Sequence, residues 1–206
     1  MPYGKFERIE QVADTFSITV KRASFLEKRD LPVDDFFLRR MQRALLKDVN
    51  FVNEDAIRQH LIAPILDIVS EQYAELEVWS EVTYTVDATR DLDGKPDYLI
   101  APYAENGGIA TPPLCIMEAK EQDWKKGWAQ AFAEMYAAST QGATCCYGVV
   151  TTGDVWQCGR LEDGSVFTRD PMKLSAIENL QNVLNTLNWL FQQARDQVHA
   201  HESYNL

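Results

Sequence analysis

From residue 54 onward the hydrophobic period switches between helical and strand spacing in a set order, and that order restricts the fold more than any other property of the chain. Asn53 is a good N-cap, and Ile57, Leu61, Ile62, Ile65, Leu66 and Val69 recur at three-four spacing after it. This predicts a helix from Glu54 to about Gln72, kinked or broken at Pro64. Residues 77–87 are rich in β-branched and aromatic types and predict a first strand. A turn at Asp91-Leu-Asp-Gly94 leads to a second strand over 96–103, and the turn signal Asn106-Gly107-Gly108 leads to a third over 114–120. An alanine-rich helix is expected over roughly 124–140. A strand pair over 145–152 and 155–160 is turned at Gly153-Asp154, and a long helix follows over roughly 173–199. The order is α-β-β-β-α-β-β-α, an α/β (α+β) plan.

Composition bounds the rest. A chain of 206 residues that is 46% hydrophobic and 25% charged suits a single domain over 1–206. Within it, 1–50 reads as a mainly helical N-terminal extension broken near Leu31-Pro32, 51–160 as the core and 161–206 as the C-terminal helix. No run of about 18 apolar residues is present, so no membrane span is expected. The start lacks an apolar signal region, and Cys115, Cys145, Cys146 and Cys158 form no C-x-x-C pair. Buried free thiols and a cytoplasmic setting are the expectation. In the last helix Ile177, Leu180, Leu184, Leu187, Phe191, Ala194 and Val198 make a 3-4 seam, which a homodimer could use. Val183 and Leu190 widen the stripe and favour packing on the body of the domain, while a homodimer or partner subunit stays open.

Net charge is −11, which excludes indiscriminate coating of nucleic acid. The charge is uneven. Residues 1–50 carry 10 bases and 8 acids, and the remainder carries 10 bases and 23 acids. Residues 21–47 alone hold eight bases, among them Arg39, Arg40, Arg43 and Lys47 on a helix-like stretch after Asp34-Asp35. If a polyanion binds, this arm is a candidate; a solvated helix face explains it as well.

The chemistry-bearing constellation is Pro96-Asp97 followed by Glu118-Ala-Lys120. Carboxylates are the hard oxygen ligands that Mg²⁺ takes, and a nearby lysine can orient water and offset developing negative charge. Glu118 and Lys120, two apart in a strand, share a face. Three acid-x-Lys triplets occur, but Asp93-x-Lys95 lies in a turn and Asp123-x-Lys125 at a helix entrance. Only Glu118-x-Lys120 ends an apolar strand, where two charges mark a rim or a site. Pairing with the strand opened by Asp97 would bring the two carboxylates together.

On these residues the chain resembles the PD-(D/E)xK nuclease superfamily, whose restriction-endonuclease-like core is a central mixed sheet flanked by helices in α-β-β-β-α-β order. Glu54, Arg58, Ile62-Ala-Pro-Ile-Leu66 and Tyr147-Gly-Val-Val-Thr-Thr-Gly-Asp-Val-Trp156 extend the resemblance to the N-terminal nuclease domains of type I restriction motor subunits and related small nucleases, over about residues 54–160. The resemblance implies a Mg²⁺-dependent (or Mn²⁺-dependent) nuclease hydrolysing phosphodiester bonds, of DNA in the first instance, in a restriction, repair or defence context. It implies that Asp97 and Glu118 hold the metal, that Lys120 positions the attacking water, and that Glu54 completes the metal shell, with Glu81 as its rival. Gln130 would face the site from the following helix; the glutamine-x₃-tyrosine spacing of several branches is not met, because the tyrosine, Tyr136, is six residues on. Gln130 and Glu134 are i and i+4 and form a polar face separate from Trp128, Phe132, Met135 and Ser139. The other function class is a non-catalytic nuclease-fold module binding nucleic acid or a protein partner, which the acidic balance favours.

Overall fold

A computed structural model describes residues 3–104, 107–110, 115–119 and 123–204. The N-terminal fifty residues are more than a helical extension. Helix α1 (Ile9–Phe16) ends at Ser17 in the left-handed conformation (φ 57°) and turns into strand β1 (Thr19–Arg22). A stretch without regular structure leads to α2 (Asp35–Leu45), capped by the Asp34 carboxylate, which accepts from the amides of Phe36 and Phe37 at 2.7 and 2.9 Å.

The helix expected after Asn53 forms in three pieces: α3 (Glu54–Ile57), a π-turn (Arg58–Ile62) and α4 (Ala63–Ser70). Asn53 accepts from the Ala56 amide at 2.8 Å and starts it. Pro64 sits in the first turn of α4, and the widened turn just before it accommodates the missing amide in place of a sharp break. All six apolar residues of the expected stripe are buried.

The single strand expected over 77–87 is two. Strand β2 (Glu77–Ser80) belongs to the main sheet, whereas β3 (Tyr84–Asp87) pairs with β4 (Leu92–Gly94) in a separate ribbon. Glu81, in a left-handed conformation (φ 50°), makes the break. Strand β5 (Tyr98–Ala101) and strand β6 (Cys115–Ala119) follow, then α5 (Trp124–Thr140) and the hairpin of β7 (Cys145–Thr151) with β8 (Val155–Glu162). Two further strands lie where the C-terminal helix was expected, β9 (Val166–Arg169) and β10 (Leu174–Ser175), before α6 (Ala176–Tyr204), whose backbone is interrupted at Asn179. The main sheet runs β1-β9-β8-β7-β6-β5-β2, with β10 beside β8. The β1/β9 and β6/β7 pairs are parallel and the others antiparallel.

The sheet separates two apolar cores. Alternation along β7 sends Tyr147 and Val149 toward α4 and α6, and Cys146 and Val150 toward α1 and α5. Leu180, Leu184, Leu187, Phe191 and Ala194 of the C-terminal seam are buried in the first core, while Ile177 is exposed, so most of the seam packs on the body of the domain. Cys146 and Cys158 are buried, and Cys145 is half-buried with its thiol pushed up to about 11 by burial. No helix of the described residues is long and apolar enough to cross a membrane.

The β7–β8 turn ties the sheet to the π-turn. Thr151 Oγ1 accepts from the Gly153 amide at 2.9 Å, and Trp156 Nε1 donates to the Gly153 carbonyl at 3.0 Å. Gly153 has φ +86°, and a Cβ there would lie 2.9 Å from both Ile57 Cγ2 and Leu61 Cδ1. Gly153→Ala is expected to lower stability by about 1–2 kcal/mol through left-handed strain and displaced core methyls. Urea denaturation measures this, and an unchanged midpoint would show that the turn relaxes freely.

Candidate functional site

The register of three strands brings the candidate carboxylates to one rim. In the antiparallel β5/β6 pair Tyr98 lies opposite Met117 and Leu99 opposite Ile116. Asp97 precedes Tyr98 and Glu118 follows Met117, so both lie next to this last pair of the ladder. On the other side Ser80 pairs with Tyr98, and the Glu81 amide donates to the Asp97 carbonyl at 3.1 Å. Glu118 in turn pairs with Val150, and Val150 with Gln157. Glu118, Val150 and Gln157 thus form one row across β6, β7 and β8, and Glu81 and Asp97 are linked to each other just beyond the ends of β2 and β5. The expected pairing of the Asp97 and Glu118 strands is present.

Arg58 closes this row from the π-turn. Its Nη1 lies 2.8 Å from Asp97 Oδ1 and 2.8 Å from Glu81 Oε1, and its Nη2 donates to Asp55 Oδ1. The side chains of Arg58 and Asp97 are 16% and 15% exposed, against 61% for Glu81 and 71% for Asp55, so the Arg58–Asp97 contact is the inner one. Burial pulls the Arg58 guanidinium down. The Asp55 hydrogen bond, the Asp97 charge and Glu81 more than reverse that, and the group is held charged more firmly than a free arginine. Tyr98 donates its hydroxyl to the Arg58 carbonyl at 3.3 Å, and burial pushes that phenol up to about 12 against the lowering charge of Arg58. Asp55, Asp67, Ser80, Glu81 and Tyr98 line a cleft of about 280 Å³ around the guanidinium. Burial, with the Glu71 charge behind it, raises the carboxyl of Asp67. Chemically this is a set of carboxylates organised around one cation at the end of a sheet.

The sequence-derived candidates distribute around it. Asp97 is at its centre. Glu118 is described through its backbone, and Lys120 lies outside the described residues. Glu54 is exposed in the first turn of α3, beside Asp55. Glu81 is placed one residue past β2 rather than on it, and it reaches the same guanidinium as Asp97. Gln130 and Glu134 do share one side of α5, but that side is inside the protein: they are 8% and 1% exposed. Gln130 Oε1 accepts no hydrogen bond among the described residues. Among the described residues no three His, Cys, Asp or Glu side chains are grouped to hold a metal ion.

Sequence reasoning named Arg58 without giving it a role and passed over Asp55. The available signal was local: Asp55 and Arg58 are i and i+3, one turn of helix apart, in the same turn as Glu54.

No protein-family model matches the chain, and no curated protein matches it. Among solved structures it is similar to one described as a cryo-EM structure of a DrdV–DNA complex, at 13% identity and a TM-score of 0.41. That likeness covers 78% of this chain, which spans 14% of the other.

Proposed function

We propose that the chain is a Mg²⁺-dependent nuclease, with Mn²⁺ as an alternative ion, that hydrolyses phosphodiester bonds of DNA in a restriction, repair or defence setting. The observation that carries this reading is the β5/β6 register, in which Tyr98 lies opposite Met117, the neighbours of Asp97 and Glu118. Chain order in the main sheet supports it, since helix, β2, β5, β6, α5 and β7 follow one another once the β3/β4 ribbon is set aside.

The donor set suits a hard divalent ion. Asp97 and Glu81 already share one cationic nitrogen, so their oxygens lie within twice 2.8 Å of each other, and both are carboxylates. Asp97 and Glu118, with Glu54 or Glu81, would hold the ion. When bound, it would polarise a phosphate oxygen and lower the pKa of a water. Lys120, two residues beyond Glu118, would donate to the attacking water and balance charge on the phosphorane. Gln130 would present to that water, from α5, an amide oxygen that accepts no hydrogen bond among the described residues. Arg58 would hold the Asp97 carboxylate in one orientation before substrate arrives.

One observation favours a second reading, a non-catalytic module that binds nucleic acid or a protein partner: Arg58 already supplies the cation that Asp97 and Glu81 require. Incubation with supercoiled plasmid, linear duplex, single-stranded DNA and RNA, each with Mg²⁺, Mn²⁺ or EDTA, separates the two. Cleavage that requires a divalent ion is expected. Cleavage persisting in EDTA, or none on any substrate, would overturn the nuclease reading.

A further inference from the structure

The basic bias of residues 21–47 is divided by the fold between two sides of the molecule. Arg39, Arg40, Arg43 and Lys47 line a groove of about 530 Å³ beside α2. Lys21 and Arg22 of β1 line another, of about 870 Å³, together with Arg8, Lys125, Arg169 and Lys173.

The second groove is the unusual one. Its six cations come from four separate stretches of chain, and Glu10 is the only acid among its described lining residues. None of the six forms an ion pair among the described residues, although the chain holds 31 acids to 20 bases. Two of them are set against each other: Arg22 and Arg169 are register partners on the parallel β1/β9 pair. Like charges directly across a pair of strands destabilise it. Arg169 is half-buried, and its pKa is pulled down first by burial and then by Arg22. The α2 groove shows no such tension, because its arginines lie along one amphipathic helix and Arg39 is 3.7 Å from Asp35.

The groove also adjoins the candidate site. Gln157 lines it and belongs to the row that contains Val150 and Glu118. At about 4.8 Å per strand, the groove begins roughly 10 Å from the backbone of Glu118. Trp124, at the mouth of α5, also lines the groove, with the Lys173 ammonium 4.6 Å from its ring centre. The α5 entrance itself is closed by Asp123, which accepts from the Lys126 amide at 3.1 Å, so the side-chain cations rather than the helix end would meet an anion.

We infer that this groove between α1, the β1/β9 edge and the start of α5 is the track for a nucleic-acid backbone. Arg8, Lys21, Arg22, Lys125 and Lys173 contact phosphates, and Trp124 offers a stacking face. The inference deepens the nuclease reading and rests on it for the choice of nucleic acid among polyanions. An anion seated between Arg22 and Arg169 would relieve the repulsion between them.

Fluorescence anisotropy with a labelled DNA duplex and a labelled single strand, in EDTA, tests this without any cleavage. Replacing Lys21, Arg22, Lys125 and Lys173 together by glutamine is expected to weaken binding on the order of 30–100-fold at moderate salt. The slope of log affinity against log salt should fall by about one for each phosphate that the variant no longer neutralises. All four positions are exposed, and an unchanged thermal melt confirms folding of the variant. Arg40→Gln with Arg43→Gln is the comparison and should bind as the unsubstituted protein does. Loss of binding in that pair alone, no binding by the unsubstituted chain, or equal competition by poly-L-glutamate at matched charge would each overturn the proposal. Binding that is intact in a protein that cleaves nothing would overturn the nuclease reading and leave the groove in place.

Discussion

Asp97→Asn is expected to reduce divalent-dependent cleavage by about 10³-fold, equivalent to about 4 kcal/mol of transition-state stabilisation. The substitution is nearly isosteric. It keeps an oxygen that can accept from Arg58 Nη1, now 2.8 Å from the carboxylate, so the fold around the π-turn should survive. What it removes is the negative charge on the carboxylate that the proposed site requires at the entrance of β5. Lys120→Ala should lose activity to a similar degree. Single-turnover cleavage at saturating Mg²⁺ gives the comparison. Retention of full rate in both variants would place the chemistry elsewhere on the chain.

Arg58→Ala has the largest expected effect on stability, a loss of about 3 kcal/mol. That figure is at the low end for breaking a buried pair, because two of the three partners are mostly exposed and screened by water. The cost arises at Asp97 and Glu81, which would both lose the guanidinium nitrogen that now lies 2.8 Å from each. The variant should also carry a signature that ordinary loss of packing lacks. Mg²⁺ should raise its melting temperature more than it raises that of the unsubstituted protein, since a divalent ion could replace the guanidinium. Equal shifts in the two proteins would show that these carboxylates are a structural ion-pair network and not a metal-binding set.

The elements read correctly from sequence are those whose signal is local. Helix α5 and the β7–β8 hairpin appear within a residue or two of their expected bounds, because alanine content, apolar runs and the Gly153-Asp154 turn each lie inside the element they define. Strand β1 was illegible for the opposite reason. All four of its residues are exposed, so it carries no alternation, and it exists only because β9 is beside it. The break at Glu81 was hidden because a non-glycine residue takes a left-handed conformation there, which composition does not announce. In the candidate site, the Pro-Asp pair at a strand entrance is the local signal that singles out Asp97. The part played by Arg58 depends on a π-turn that rotates it toward residues 23 and 39 positions away, and no spacing rule reaches that far.

Strand β1 also bears on how the molecule is made. Thr19 meets Val166, so the outermost strand of the sheet must wait for most of the chain to be synthesised before its partner exists. During that interval an extended segment with unpaired amides and carbonyls is exposed to other nascent chains. Lys21 and Arg22 sit in it, and charged residues on an edge are a means by which proteins discourage strand addition between molecules. Replacing both by valine would therefore be felt first in the yield of soluble protein, before any property of the finished fold.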